Sequence, residues 1–216
     1  MIKAVFLDYT GTMVRDDDPY TKALVGTFLT QSDLTNPADA LGVVWGLIRS
    51  WEWEHYQDTF AGKDQMADDI LAYCVEHYGL RADLDKMHET WRKAWIYAPL
   101  YDDVKPFVER CSRPVYVVTN DDLRYIELSL ADKSLEVAGV ISSEQVRANK
   151  PHTEILTEAL RVAGVEAAEA VLIGDSETSD VACAQKVGIV PILLDRKGKA
   201  QRSDIQVART LEELSF

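Results

Sequence analysis

Short apolar runs punctuate the chain, and each one ends where polar residues or glycine begin. Four are clear, Ala4–Leu7, Val115–Val118, Ala170–Ile173 and Ile189–Leu194, and a weaker fifth spans Val137–Ile141. They lack the polar alternation of a strand with one face in water. This pattern is typical of strands buried on both faces of a parallel sheet.

Helical periodicity fills the intervals between these runs. The predicted helices cover Lys105–Cys111, Asp122–Leu130, Glu154–Ala163 and Ser179–Val187. Strands that alternate with helices predict an α/β fold, in which a doubly wound, Rossmann-like parallel sheet carries helices on both sides.

The interval from about residue 13 to residue 99 departs from this alternation, because it shows helical patterns only. These cover Tyr20–Leu29, Asp39–His55, Gln65–Tyr78 and Leu84–Ile96. Helices between the first and second strands indicate an inserted domain. We therefore predict a catalytic core domain over 1–13 and 100–216, and a helical cap domain over 14–99.

The composition and charge of the chain limit the kinds of molecule that it is expected to bind. The chain is 47 % hydrophobic and 27 % charged, as in ordinary globular proteins, and its net charge is −13. That charge repels phosphate backbones, so we expect neither nucleic acid nor membrane as a partner. No run approaches the ~18 apolar residues of a membrane-spanning helix, and the first residues lack signal-peptide features. The sequence gives no indication of oligomeric state.

Three cysteines, Cys74, Cys111 and Cys183, are widely spaced and form no Cys-x-x-Cys motif. We expect reduced thiols, which fits a cytoplasmic protein.

Reactive groups follow three of the apolar runs, and a lysine precedes a predicted helix. Asp8 follows the run Ala4–Leu7, Thr119 and Asn120 end the run that starts at Val115, and Asp175 and Asp180 follow the run Ala170–Ile173. Open α/β sheets bind ligands at the carboxyl ends of their strands, so these groups are expected in one crevice.

Lys150 lies directly before Pro151 and a predicted helix, a position where an anion site is expected. Each motif recurs by chance, but together they supply a carboxylate nucleophile, a hydroxyl, a lysine and a pair of carboxylates for a divalent cation. Covalent carboxylate catalysis of phosphoryl transfer uses these parts.

The order of these four motifs resembles the haloacid dehalogenase (HAD) superfamily from Ile2 to about Asp195, with the insertion in the position of a type C1 cap. Most members are magnesium-dependent phosphohydrolases. The resemblance implies an aspartyl-phosphate on the nucleophile, with the lysine neutralising charge. By that resemblance the roles are catalytic for Asp8 and Lys150, phosphoryl-binding for Thr119, Asn120 and Lys150, and Mg²⁺-binding for Asp8, Asp175, Asp180 and the Thr10 carbonyl.

One residue departs from the usual phosphatase pattern. Two positions after the nucleophile the pattern has a second aspartate, which protonates the leaving alcohol, but this chain has Thr10. A hydroxyl of ordinary pKa is a poor general acid near neutrality, and that role is worth ~10²–10⁴-fold in rate. We therefore expect a phosphohydrolase for a small phosphorylated molecule that is slow or depends on its leaving group.

Three alternatives stay open. A phosphonatase-like hydrolase would need a desolvated cap lysine, whereas we expect the insertion lysines Lys22, Lys63, Lys86 and Lys93 to be solvated. A haloacid dehalogenase-like activity is disfavoured by Thr119 and by the metal-type pair of aspartates. A non-catalytic phosphate-binding regulatory protein is favoured by Thr10 alone.

All five tryptophans fall inside the insertion. We expect Trp45, Trp51, Trp53, Trp91 and Trp95 chiefly to build its own small core, with one or two of them lining the roof of a substrate pocket.

Overall fold

The computed structural model describes residues 1–216, and its centre is a sheet of six parallel strands. The strands are β1 (Ala4–Leu7), β2 (Val115–Thr119), β3 (Gly139–Ser142), β4 (Ala170–Gly174), β5 (Val190–Leu194) and β6 (Gln206–Ala208). They lie in the order β3-β2-β1-β4-β5-β6, so the sheet extends from β1 in both directions. The predicted doubly wound parallel sheet is confirmed, and the weak fifth run contains β3. Strand β6 was not predicted.

The chain forms nine α-helices. They are α1 (Pro19–Gln31), α2 (Pro37–Glu54), α3 (Lys63–Tyr78), α4 (Leu84–Tyr97), α5 (Val104–Arg110), α6 (Leu123–Asp132), α7 (Ser143–Val146), α8 (Glu154–Ala163) and α9 (Ala182–Val187). A widened helical turn over Glu177–Val181 leads into α9. None of the helices is long and apolar enough to cross a membrane.

Strand β1 shows why the apolar runs lack alternation. Ala4 and Phe6 belong to a buried cluster that includes Ile155 of α8, whereas Val5 and Leu7 belong to the opposite cluster. Both faces of the strand are therefore covered, and every residue of β1 is buried. Strand β1 pairs in parallel with β2 on one side and β4 on the other, which places the carboxyl ends of the three strands next to one another.

Helices α1 to α4, here called the helical insertion, pack around an apolar cluster of their own. Phe28, Trp51, Met66 and Trp91 are among its buried members, while Trp45 and Trp95 pack against it half-buried. Trp53 is 55 % exposed and lies outside this cluster. Four of the five tryptophans thus belong to the core of the insertion, as their grouping predicts.

The chain enters and leaves the helical insertion along adjacent segments. The Arg15 amide donates to the Pro99 carbonyl at 2.9 Å, and the Tyr101 amide donates to the Met13 carbonyl at 2.9 Å. These two bonds hold the linkers side by side next to the end of β1. The division into a core domain and a cap domain at residues 14 and 99 stays a prediction.

Candidate active site

Asp8 lies immediately after β1, at the centre of the sheet. Its amide donates to the Ile173 carbonyl of β4 at 2.9 Å, and the residue is 8 % exposed. The loop that follows turns sharply at Gly11, whose φ is +88°. A Cβ atom there would collide with the Asp175 carboxylate, so only glycine lets the two segments approach this closely.

Lys150 connects the segments that the sequence motifs place far apart. Its ammonium donates to Asp8 Oδ1 at 2.7 Å, to Asp180 Oδ1 at 2.6 Å and to the Val118 carbonyl at 2.9 Å. Lysine has three N–H donors, so this 2 % exposed side chain is fully hydrogen-bonded. The ammonium holds one oxygen of the predicted nucleophile in place.

Three carboxylates surround one point of the crevice. Asp8, Asp175 and Asp180 each place an oxygen within 4.8 Å of the others. The Asp180 side chain lies against Gly174, where a Cβ atom would collide with it, and its Oδ2 accepts from the Ser176 amide at 3.1 Å. When all three carboxylates are ionised, they and the Lys150 ammonium together carry a charge of −2. Oxygen ligands with this charge fit a divalent cation such as Mg²⁺.

Burial and mutual repulsion perturb the ionisation of this cluster. Burial and the Asp180 charge raise the pKa of Asp8 to about 7, and burial with the Asp8 and Asp180 charges raises the pKa of Asp175 to about 8. Burial alone would lower the pKa of Lys150, but the Asp180 and Asp8 carboxylates outweigh it and the pKa is raised. The lysine therefore stays protonated, while the carboxylates need further positive charge to ionise fully.

Thr119 and Asn120 follow at the end of β2. The Thr119 hydroxyl donates to Asp121 Oδ2 at 3.0 Å, and the Asp121 amide donates back to that hydroxyl at 3.1 Å. Asn120 Oδ1 accepts from the Lys150 amide at 2.7 Å, and its Nδ2 donates to the Lys150 carbonyl at 3.2 Å. The side chain of Asn120 thus fixes the backbone of Lys150.

Thr10 contacts the same carboxylate oxygen of Asp121 as Thr119 does. Its hydroxyl donates to Asp121 Oδ2 at 3.2 Å, so Asp121 accepts from both Thr10 and Thr119. Sequence reasoning missed Asp121, although its place directly after Thr119 and Asn120 at a strand end was a usable signal. Binding of a metal by the Thr10 carbonyl stays a prediction.

The helical insertion lines one side of the crevice, which has a volume of about 840 Å³. The insertion contributes apolar side chains, Trp45, Ile48, Met66, Trp91 and Trp95, and charged side chains, Arg49, Glu52 and Lys63. This volume admits a leaving group with a ring, since ligand pockets commonly measure ~300–1,000 Å³. Tryptophans thus serve both the insertion core and the crevice.

The expectation that all four insertion lysines are solvated is wrong for Lys63. Lys22, Lys86 and Lys93 are exposed as expected, but Lys63 is only 5 % exposed. Its ammonium donates to Glu52 Oε1 at 2.6 Å and lies 3.7 Å from Asp121 Oδ1. The cause is tertiary: α3 begins at Lys63, where the helical insertion meets the loop after β2. A single-sequence pattern does not show that contact.

Known proteins that match this chain belong to the family that the order of the four motifs indicates. A family model described as a haloacid dehalogenase-like hydrolase matches residues 2–188. This chain belongs to that family. Two of its curated relatives are phosphatases that match over a short segment. Phospholysine phosphohistidine inorganic pyrophosphate phosphatase of Homo sapiens is 43 % identical over 72 residues, which is 33 % of this chain and 26 % of the relative. Glyceraldehyde 3-phosphate phosphatase of Methanopyrus kandleri is 39 % identical over 62 residues, 29 % of this chain and 26 % of the relative.

Solved HAD structures match nearly the whole chain at low identity. YfnB of Bacillus subtilis, solved with bound magnesium, has a TM-score of 0.76 at 22 % identity and covers 98 % of this chain and 96 % of its own. L-2-haloacid dehalogenase of Xanthobacter autotrophicus has a TM-score of 0.77 at 18 % identity, over 99 % and 96 % of the two chains. These likenesses confirm the HAD fold. A HAD phosphatase of Thermococcus onnurineus also matches, with a TM-score of 0.65 at 22 % identity over 98 % and 95 % of the two chains, so fold alone does not separate dehalogenases from phosphatases.

The stability of the metal-free HAD protein is expected to fall as pH rises from about 4 to about 8. In this interval Asp8 and Asp175 keep protons in the folded state that they have lost in the unfolded state, where their pKa is near 3.8. The folded state binds more protons, so raising the pH disfavours it. Thermal unfolding in EDTA and in Mg²⁺ measures the effect, and Mg²⁺ should flatten the slope.

Asp175→Asn is the matched variant for this measurement. It removes one of the two carboxylates that bind a proton in the folded state, so stability in EDTA should change less steeply with pH. Metal-free stability that rises between about pH 4 and about pH 8 would contradict the assignment.

Proposed function

We propose that this HAD hydrolase is a magnesium-dependent phosphohydrolase of a small phosphorylated molecule, and that Asp8 forms an aspartyl-phosphate. The observation that carries the proposal is the contact of Lys150 with both Asp8 and Asp180 beside Asp175. The Lys150 ammonium offsets one of the three carboxylate charges and holds Asp8 in place, and a divalent cation beside it would supply the remaining positive charge that a phosphoryl group needs near a nucleophilic carboxylate.

The reaction divides into two displacements at phosphorus. An oxygen of Asp8 attacks the phosphorus, and the bond to the leaving oxygen breaks. The leaving oxygen then takes a proton from water. In the second step water attacks the phosphorus of the aspartyl-phosphate and the bond from phosphorus to the Asp8 oxygen breaks, which releases inorganic phosphate and restores the Asp8 carboxylate. The proton that this water loses neutralises the hydroxide left by the first step. Lys150 keeps Asp8 oriented throughout, and the Thr119 hydroxyl can turn from Asp121 to a phosphoryl oxygen.

A bound Mg²⁺ would neutralise the phosphoryl oxygens and the carboxylates together. Asp8, Asp175, Asp180 and the Thr10 carbonyl are the groups proposed to hold it. The three side chains fit, because their oxygens converge within 4.8 Å and their charge is incompletely offset by Lys150. Support from outside the chain comes from YfnB, which was solved with bound magnesium, and from the two phosphatase relatives.

With threonine at position 10, we expect the rate of hydrolysis to depend strongly on the leaving group. Because no carboxylate occupies this position, an aryl phosphate should be hydrolysed much faster than an alkyl phosphate. Thr10→Asp should raise kcat on the alkyl ester by about 10- to 100-fold and change the aryl rate little. The neighbouring Asp121 carboxylate, 3.2 Å from the Thr10 hydroxyl, favours the protonated form of the new aspartate, which suits a general acid.

Thr10→Asn is the control, since it has the shape of aspartate but no acidic proton. Equal alkyl-ester rates for Thr10→Asp and Thr10→Asn would show that the missing acid does not limit the reaction. Phosphate binding without turnover of any ester by the wild-type protein would favour the non-catalytic alternative.

The burial of Lys63 favours a second candidate, the phosphonatase-like hydrolase, because a desolvated lysine lines the same crevice as Asp8. An imine-forming lysine must lose its proton. Burial lowers the pKa of Lys63, but Glu52 and Asp121 more than offset this and the pKa is raised. We therefore expect borohydride with a phosphono-aldehyde to leave Lys63 unmodified, as mass spectrometry can show. Reductive labelling of Lys63 with loss of activity would establish the second candidate instead.

A further inference from the structure

Glu52 links the helical insertion to the catalytic loops through both of its carboxylate oxygens. It lies near the end of α2, its side chain is 13 % exposed, and it lines the crevice. Oε1 accepts from the Lys63 ammonium at 2.6 Å, and Oε2 accepts from Asn120 Nδ2 at 3.0 Å. The first contact is within the insertion, whereas the second crosses to the loop after β2.

The second contact continues to the catalytic lysine. The Asn120 side chain bonds both the amide and the carbonyl of Lys150, and the Lys150 ammonium bonds Asp8. A continuous path of hydrogen bonds therefore runs from Glu52 through Asn120 to Lys150 and the proposed nucleophile. A shift of the Glu52 carboxylate would disturb the group that orients Asp8.

The first contact fixes a cation at the crevice wall. The Lys63 amide donates to both oxygens of Asp122, at 3.0 and 3.1 Å, so the start of α3 is seated on the loop after β2. Glu52 then holds the Lys63 ammonium 3.7 Å from Asp121 Oδ1, and the other oxygen of Asp121 accepts from the Thr119 hydroxyl. This arrangement exists only while the helical insertion lies against the sheet, because Asn120, Asp121 and Asp122 all belong to the loop after β2.

We propose that Glu52 is a positioning residue that completes the phosphoryl site when the helical insertion closes on the sheet. It holds Lys63 at the crevice wall and fixes Asn120 against Lys150. The inference rests on the proposed function, and it adds a residue from the insertion that acts on Asp8 only through others. A well-placed contact of this kind affects the rate of reaction more than the binding of substrate.

Glu52→Gln tests the path through Asn120. Glutamine still accepts from Lys63, but its amide turns a donor toward Asn120 Nδ2 and breaks that contact. We expect kcat on an aryl phosphate to fall by about 10- to 100-fold with KM changed less than threefold. The matched control is Glu54→Gln, two residues along α2 at an exposed position, which should match the wild-type protein.

A double-mutant cycle separates positioning from a loss of folding. If Glu52 acts through Asn120, then Glu52→Gln should cost less than twofold in an Asn120→Ala background. Additive losses, or a wild-type kcat in Glu52→Gln, would overturn the inference while Asp8-dependent turnover by the wild-type protein left the proposed function intact.

A second measurement does not depend on turnover. Trp53 stacks on His152 with ring centroids 4.6 Å apart, and this contact joins the helical insertion to the segment after Lys150. Tryptophan emission therefore reports closure. On titration with inorganic phosphate in Mg²⁺, the midpoint for the Glu52→Gln protein should stay within threefold of that for the wild-type and Glu54→Gln proteins, but its emission change at saturating phosphate should be about tenfold smaller, because less of the bound protein is closed. An identical titration of Glu52→Gln and wild type, or no emission change in either, would overturn the inference even if no ester were hydrolysed.

Discussion

Asp8→Asn is expected to reduce hydrolysis of any phosphomonoester by at least about 10⁴-fold, because it removes the nucleophile itself. The amide keeps the size of the side chain and can still accept from Lys150, so folding should be preserved. Replacing a buried carboxylate whose pKa is raised should also stabilise the metal-free protein near neutral pH. Steady-state kinetics and thermal unfolding of the same preparation check both effects.

The control for Asp8 is Asp17→Asn, which changes a carboxylate that is 61 % exposed and paired only with Lys22. It should leave kcat and unfolding close to wild type. Residual activity of Asp8→Asn above a few per cent would mean that another group accepts the phosphoryl, and the two-step reaction would be wrong.

Lys150→Met is expected to abolish turnover and to destabilise the metal-free protein by about 3–5 kcal/mol at pH 8. The methionine fills the space, but Asp8 and Asp180 lose their shared ammonium, and with Asp175 they form an uncompensated group of carboxylates. Protonation relieves that repulsion, so the loss of stability should shrink as pH falls. Mg²⁺ should restore part of the stability without restoring activity.

Lys105→Met, at an exposed position of α5, is the matched control and should unfold like the wild-type protein. Chemical denaturation of the variants in EDTA and in Mg²⁺ measures the difference directly. If Lys150→Met unfolded like Lys105→Met at every pH, the ammonium would not compensate the carboxylates as described.

The sheet was predictable where strands are buried on both faces. The run Ala4–Leu7 coincides with β1, because every position there contacts apolar side chains and none needs to be polar. Strand β6 gave no such signal. It has three residues at the sheet edge, with Gln206 exposed and Ala208 buried, which is too short and too mixed a pattern to distinguish from a loop.

The convergence of the motif residues was also predictable, because parallel strands present their carboxyl ends at one edge of the sheet. Lys150 is 142 positions from Asp8 in sequence, and the structure places their side chains 2.7 Å apart. The proximity of Asp175 and Asp180 to Asp8 follows from the same geometry. The chemical roles of these residues stay predictions.

What the sequence could not show is how the helical insertion meets the sheet. In the sequence, Lys63 is an ordinary lysine at the start of a helix. Its burial depends on Glu52, eleven positions earlier in the chain, and on Asp121, which is much later. No local pattern encodes that meeting. The residues found only in the structure are therefore those of the boundary between the insertion and the loop after β2.

The most direct test of the account is to look for the phosphoryl group on Asp8. The wild-type protein is mixed with an aryl phosphate and Mg²⁺, quenched in acid within the first turnovers, digested, and its peptides are measured by mass spectrometry. We expect a hydroxylamine-sensitive phosphoryl group on the peptide that contains Asp8, accumulating because Thr10 does not assist its hydrolysis. Turnover with no phosphoryl group on that peptide, or with one on a different residue, would contradict the proposed role of Asp8.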